Sequence, residues 1–311
     1  MKGRVTVYIV IFAAVVAVAL ITSTYPPAEQ EQPSYFPSGG YANEHLLVEP
    51  DWVERYSEDV DVRIVDVRDE SKYGRGHIPG AVNIYYRRFQ MSLPGSFSIA
   101  VSVEEFEDMV GEAGITPETT VLLYDSSDNL DAALAFWVFE YYGHKNARLL
   151  NGGFQRWVSE GRTVEEGGTV VKRAEYAAAS VREDRVATAG WIVENLDASD
   201  VKILDVRSES EYTGEVHNTK RGGHIPGAVN IEWVEALNPD GTFKAGDVLL
   251  KMYRDAGITQ DKEVMVYCQS GHRASHGYFV LRLLGYPEVR VYDRSWLEWG
   301  NRSGLPIEGE G

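Results

Sequence analysis

The chain has 311 residues, 44% of them hydrophobic, with 47 acidic against 30 basic side chains and a formal charge of −17. That length allows two ordinary domains with buried cores, and the charge excludes nucleic acid as the main partner. A single cysteine, Cys268, excludes both an internal disulfide and a cysteine-built metal cluster.

At the amino terminus, Lys2 and Arg4 precede an uncharged, mostly apolar run over residues 5–21. A signal-peptide core takes about 7–15 residues and a spanning helix roughly 17–25, so the run fits either an export signal or a membrane anchor. Residues 1–25 are accordingly read as signal peptide or signal anchor, and residues 26–43 as a Pro-rich tether. Ala17 and Ala19 supply a small-x-small cleavage pattern, and no cysteine follows the run to carry a lipid anchor. With its positive charges held on the cytoplasmic side, either form places the rest of the chain outside the cytoplasm, periplasmic or secreted. Contact with a membrane is then expected only through this segment, if it is not cleaved.

Beyond the tether one unit occurs twice: "RIVDVRDESKYGRGHIPGAVNI" from Arg63 and "KILDVRSESEYTGEVHNTKRGGHIPGAVNI" from Lys202, the second with an insertion. "EAGITPETTVLLYDSS" then matches "DAGITQDKEVMVYCQS", and "GGFQRW" matches "RSWLEW". In each copy short β-branched runs (63–67, 120–124, 201–205 and 263–267) alternate with helix-like segments such as 103–113 and 274–284, which predicts a parallel sheet with helices on both faces. The expected architecture is α/β, with two tandem domains over 44–160 and 186–308 and a linker over 161–185. In such folds ligands bind beyond the carboxyl ends of the strands, and Cys268 stands there, between a strand and a helix.

The segment Cys268-Gln269-Ser270-Gly271-His272-Arg273 is compact and polar. Curled about its centre, it would converge its backbone N–H groups on one point, with Gly271 supplying the backbone freedom. The positive end of the following helix and the charge of Arg273 favour the thiolate form of Cys268, a nucleophile, and would attract an anionic substrate.

The strand-end "DVR" at 66–68 and 205–207, "GHIPGA" at 76–81 and 223–228, the Cys-x-x-Gly-x-Arg loop and the closing "SWLEWGNRSGLPIE" from Ser295 together resemble the tandem-domain rhodaneses, the thiosulfate sulfurtransferase family. The resemblance covers nearly all of the chain after the tether. It implies that Cys268 takes the outer sulfur of thiosulfate as a persulfide, expels sulfite, and passes the sulfur to a thiophilic acceptor such as cyanide or a thiol. It also implies that the loop from Gln269 through Ser270, Gly271, His272 and Arg273 to Ala274 binds the substrate, Arg273 orienting the sulfonate. No metal or organic cofactor is expected, since the paired His272 and His276 lack a third partner of matching spacing.

The first copy reads "YDSSDNLDAA" where the second reads "YCQSGHRAS", so Asp125 stands at the cysteine position and Asp131 opposite Arg273. A loop bearing Asp125, Asp128 and Asp131 is expected to repel anions and to lie on the surface in solvent, leaving the first domain non-catalytic. Asp205, Arg207, His77 and His224 recur in or match the cysteine-free copy and are therefore read as structural. Glu211 stands where some family members carry a substrate-binding Arg, which leaves Arg207, Lys220 and Arg221 as candidates for a second cationic contact. The alternatives are a 3-mercaptopyruvate sulfurtransferase, an exported sulfur relay and a non-catalytic adaptor. A phosphatase of this fold is disfavoured, because four residues rather than five separate Cys268 from Arg273.

Overall fold

The computed structural model describes residues 36–93, 96–98 and 100–309. The apolar run 5–21 and most of the tether lie outside the described residues, and no described helix is long and apolar enough to cross a membrane.

The first domain runs β1 (Leu47–Val48), α1 (Pro50–Tyr56), β2 (Val62–Asp66), α2 (Glu70–Arg75), β3 (Val82–Asn83), a hairpin of β4 (Met91–Leu93) and β5 (Ser96–Ser98), α3 (Val103–Glu112), β6 (Thr120–Tyr124), α4 (Leu130–Tyr141), β7 (Ala147–Leu150) and α5 (Gly153–Ser159). The second runs α6 (Ala189–Asn195), β8 (Val201–Asp205), α7 (Glu209–Tyr212), β9 (Val229–Asn230), α8 (Gly246–Asp255), β10 (Glu263–Tyr267), α9 (His272–Leu283), β11 (Val289–Val291) and α10 (Ser295–Trp299). Their sheets are wholly parallel, ordered β1-β7-β6-β2-β3 and β11-β10-β8-β9. Because helices cover both faces, central strands such as β6 and β10 are nearly continuous apolar runs.

Two helices join the halves. Every residue of 132–139 in α4 and of 274–281 in α9 is buried, so both helices are enclosed all round. They run parallel: Asp131 meets His272 near their amino ends, Phe136 meets Phe279 edge-to-face at 5.0 Å midway, and Glu140 accepts from Tyr278 (2.5 Å) and Arg282 (3.1 Å) near their carboxyl ends. The two strand-to-helix loops therefore open side by side.

The repeat extends past residue 160. Glu165 bridges to His77 as Glu308 bridges to His224, so the segment read as linker begins as part of the first domain. It then lies along that domain, the Ala174 N–H reaching the Gly111 carbonyl and the Arg182 N–H that of Tyr141. A side chain at Gly111 would come within 2.8 Å of the Ala174 oxygen, which explains a glycine inside α3.

Candidate active site

The sheet ends carry matching braces. Arg207, on the buried Asp205 (2.6 Å), donates to the Gly223 carbonyl and covers the Trp296 ring at 4.5 Å; Arg68, on Asp66 (2.5 Å), does the same with Gly76 and Phe154 (3.7 Å). His224 and His77 stack on Tyr212 and Tyr73 and pair with the carbonyls of those same residues. The structural role expected for these residues follows from this geometry.

Cys268 emerges from β10 only 1% exposed. Gly271 takes φ +85° and turns the chain into α9, whose first N–H groups, those of His272, Arg273 and Ala274, have no intrahelical partner. Gln269 and Ser270 are half-buried between them. The Leu297 N–H holds the Gln269 carbonyl at 2.8 Å, and the Trp296 N–H holds that of Cys268 at 3.0 Å, fastening the loop to α10.

Sequence reasoning missed the residue that shapes this loop. Ser295 Oγ accepts from the N–H of Cys268 and of Gly271, both at 3.0 Å, donates to the Tyr292 carbonyl at 2.7 Å, and lies 4.0 Å from Cys268 Sγ. It is fully buried at φ +49°, a conformation costly for any residue with a Cβ. The signal was present: the repeat aligns Ser295 with Gly153, which holds φ +56°. With Gly271 bound to Ser295, the N–H groups left to face a ligand are fewer than the whole span from Gln269 to Ala274.

The first domain shows what such a cradle does with an anion. Asp125 is fully buried, and its carboxylate accepts from Ser127 N (3.0 Å), Asn129 N (3.0 Å), Asp131 N (2.7 Å) and Ala132 N (2.9 Å). This corrects the expectation of a solvated loop that cannot hold an anion: the loop holds its own. Burial first, and then the charge of Asp131, push the Asp125 carboxyl up to about 6. By helix register, the N–H groups of Asp131 and Ala132 correspond to those of Arg273 and Ala274.

Arg273 and His272 of the cysteine loop both lie beside carboxylates. Arg273 makes a two-pronged pair with Glu211, Nη1 to Oε2 at 2.7 Å and Nη2 to Oε1 at 2.8 Å. Burial would lower this guanidinium, but Glu211 and the nearby Cys268 raise it; burial would likewise raise Glu211, and the Arg273 pairing overcomes it to hold that carboxyl at about 2. His272 Nε2 lies 2.9 Å from Asp131 Oδ1 of the first domain, and its ring stacks on Tyr86 at 5.2 Å. The candidates for a second cationic contact resolve differently from expectation. Arg207 is held in its brace through Nε and Nη2 while its buried Nη1 has no partner, Arg221 is held by the carbonyls of Leu305, Trp299 and Arg302, and Lys220 is exposed. His276 is enclosed by Phe243 and Trp233, and burial pushes it down to about 3. No group of three metal-ligating side chains occurs among the described residues.

The chain is thus a tandem parallel α/β protein whose one cysteine lies buried at the amino end of a helix, beside N–H groups that have no intrahelical partner. The rhodanese-like domain model matches residues 49–160 and 188–302, and the chain belongs to the rhodanese family. It is 44% identical to the sulfur carrier protein TtuD of Thermus thermophilus, over 86% of this chain and 98% of that one. It is 38% identical to a Haloferax volcanii protein named "Putative thiosulfate sulfurtransferase", over 85% and 96%. Among solved structures, YnjE matches with TM-score 0.79 at 27% identity, covering 87% of this chain and 70% of that one. An EanB variant complexed with ergothioneine linked to a cysteine persulfide matches with TM-score 0.75 at 28% identity, covering 86% and 71%.

Proposed function

We propose that this chain is a sulfurtransferase that moves the sulfane sulfur of thiosulfate to a thiophilic acceptor through a Cys268 persulfide. The observation that carries the reading is the cradle of Arg273 and Ala274 N–H groups at the start of α9, whose counterparts in the first domain, the N–H groups of Asp131 and Ala132, hold a carboxylate. The Cys268 thiolate attacks the outer sulfur, the S–S bond breaks, and the electron pair leaves with sulfite. The new persulfide anion is then held by donors fixed before the reaction, the logic of an oxyanion hole. An acceptor attacks the outer persulfide sulfur and returns the thiolate. The carrier relative and the persulfide-bearing EanB variant support a sulfur-loaded cysteine as the working species, and with it a protein acceptor as readily as a small thiol. Placement outside the cytoplasm, from residues 5–21, belongs to the same proposal and is tested by protease protection of the full chain in cells.

The primary test is intact mass of a form beginning near Tyr41, before and after thiosulfate, beside Cys268→Ser. One added sulfur in the wild type alone, removed by cyanide, is the expected result. A gain with 3-mercaptopyruvate and none with thiosulfate would move the donor assignment, and a gain with neither would overturn the enzymatic reading.

A further inference from the structure

Where α4 and α9 end, far from Cys268, the fold gathers positive charge. A cleft of about 390 Å³ is lined by Lys145 between α4 and β7, by Arg182 and Arg185 from the segment joining the domains, and by Arg282 in the last turn of α9. Ten residues of helix separate Arg282 from His272, about 15 Å, so this cleft is not the mouth of the cysteine loop. Its walls are fastened through the backbone. The Arg182 N–H reaches the Tyr141 carbonyl at 2.7 Å, and Asn43 donates to the carbonyls of Arg282 (2.7 Å) and Leu283 (3.0 Å). A side chain at Gly143 would come within 3.0 Å of the Ser180 carbonyl oxygen, so the joining segment lies tight against the end of α4.

The carboxylates paired with these cations are too few. Glu140 takes Arg282 Nε at 3.1 Å while also accepting from the Tyr278 hydroxyl, and Asp184 takes Arg182 at 2.6 Å. Arg185, a buried side chain, is left with the Pro287 carbonyl at 3.0 Å and Asp184 at 3.6 Å. Lys145 is exposed and has no partner among the described residues. Four positive charges thus meet two negative ones, a surplus of two on a chain whose formal charge is −17. Helix carboxyl ends attract cations, but Asn43 already satisfies two of the last carbonyls of α9, and Arg182 stands close enough to Arg282 to repel it.

We propose that this cleft binds the phosphate group of a small soluble molecule, an organic phosphate or diphosphate. Two negative charges match the surplus, guanidinium groups bond phosphate oxygens two at a time, and the volume leaves room for an organic part beside the phosphate. Lys145 and Arg185 are the cations with most capacity to take new oxygens. The proposal stands apart from the sulfur chemistry, since neither Cys268 nor its loop lines the cleft. An occupant would clamp the place where α4, α9 and the joining segment meet, and would therefore stabilise the fold by mass action.

The test titrates the full chain with inorganic pyrophosphate by calorimetry, beside Lys145→Gln and Arg182→Gln. The expected result is saturable binding that each variant weakens about tenfold, the weight of one charge-assisted hydrogen bond. Pyrophosphate should also raise the urea midpoint of the wild type more than that of either variant. Should Arg182→Gln fail to fold, Lys145→Glu reverses a charge at an exposed position and is expected to weaken binding further than Lys145→Gln. No saturation below about 1 mM, or equal affinity in the wild type and the variants, overturns the proposal. Sedimentation with phosphatidylglycerol vesicles and no binding of pyrophosphate would assign the cleft to a lipid headgroup and overturn it as well.

Discussion

Ser295→Ala is expected to lower stability and disable the loop together. Among the described residues the hydroxyl is the sole acceptor for the N–H groups of Cys268 and Gly271, both buried. Leaving a buried donor unpaired costs about 1–3 kcal/mol, so two place the loss at roughly 2–6 kcal/mol. Ser295→Gly loses the same hydroxyl but relieves a Cβ held at φ +49°, where a side chain costs roughly 1–2 kcal/mol. The glycine variant should therefore be about 1 kcal/mol more stable than the alanine variant, an order opposite to that found in a helix interior. Urea unfolding of both variants beside the wild type gives the ranking, and persulfide mass gives the activity. An alanine variant within about 0.5 kcal/mol of the wild type, a size typical of surface substitutions, would refute the hydrogen-bond accounting; a glycine variant no better than alanine would refute the strain.

Arg273→Ala should raise KM for thiosulfate and also destabilise the fold, because it strands the Glu211 carboxylate; adding Glu211→Ala should restore stability but not activity, read by urea midpoint and steady-state kinetics. The Glu211 carboxyl, held at about 2 against an ordinary 4.5, stabilises the folded state above pH 4.5, and that contribution is lost as pH falls toward 2. The stability gap between wild type and Glu211→Gln should therefore be widest near pH 6 and shrink below pH 4.5, with partial exposure holding it to about 1–2 kcal/mol; a gap independent of pH would contradict the pairing.

The tandem fold was legible because each half restates it. Strand runs such as 120–124 and 263–267 are continuous apolar segments that a parallel sheet buries on both faces, and the two "DVR" motifs mark the braces at their ends. The cysteine loop was legible for a local reason, since the glycine that turns it and the helix that charges it are adjacent in sequence. What escaped was set by contacts distant along the chain. Glu211 reaches Arg273 across 62 residues and Ser295 reaches Cys268 across 27, and no local pattern announces either. The contact of the following segment with the first domain, through the bridge between His77 and Glu165, was not legible because that stretch has no periodicity to read.

In the Asp125 loop charge counting gave only half of the account. Three aspartates suggested a site hostile to anions; four N–H donors converge on the Asp125 carboxylate, while burial and the charge of Asp131 still push it up to about 6. The first domain retains the cradle and fills it from within, the carboxylate giving the Asn129 N–H the acceptor that Ser295 gives to the aligned Gly271. Asp125→Cys should thus fold with its thiol in a competent ring of donors, yet still take no sulfur from thiosulfate, because Asp131 stands where the second domain has Arg273. Adding Asp131→Arg should supply the missing charge, so the double variant is expected to gain a second sulfur by mass while Asp125→Cys gains only the one on Cys268. A second sulfur on Asp125→Cys alone would mean that the backbone cradle suffices for donor capture and that the side chain at the second helical position is not decisive, in this domain or in the catalytic one.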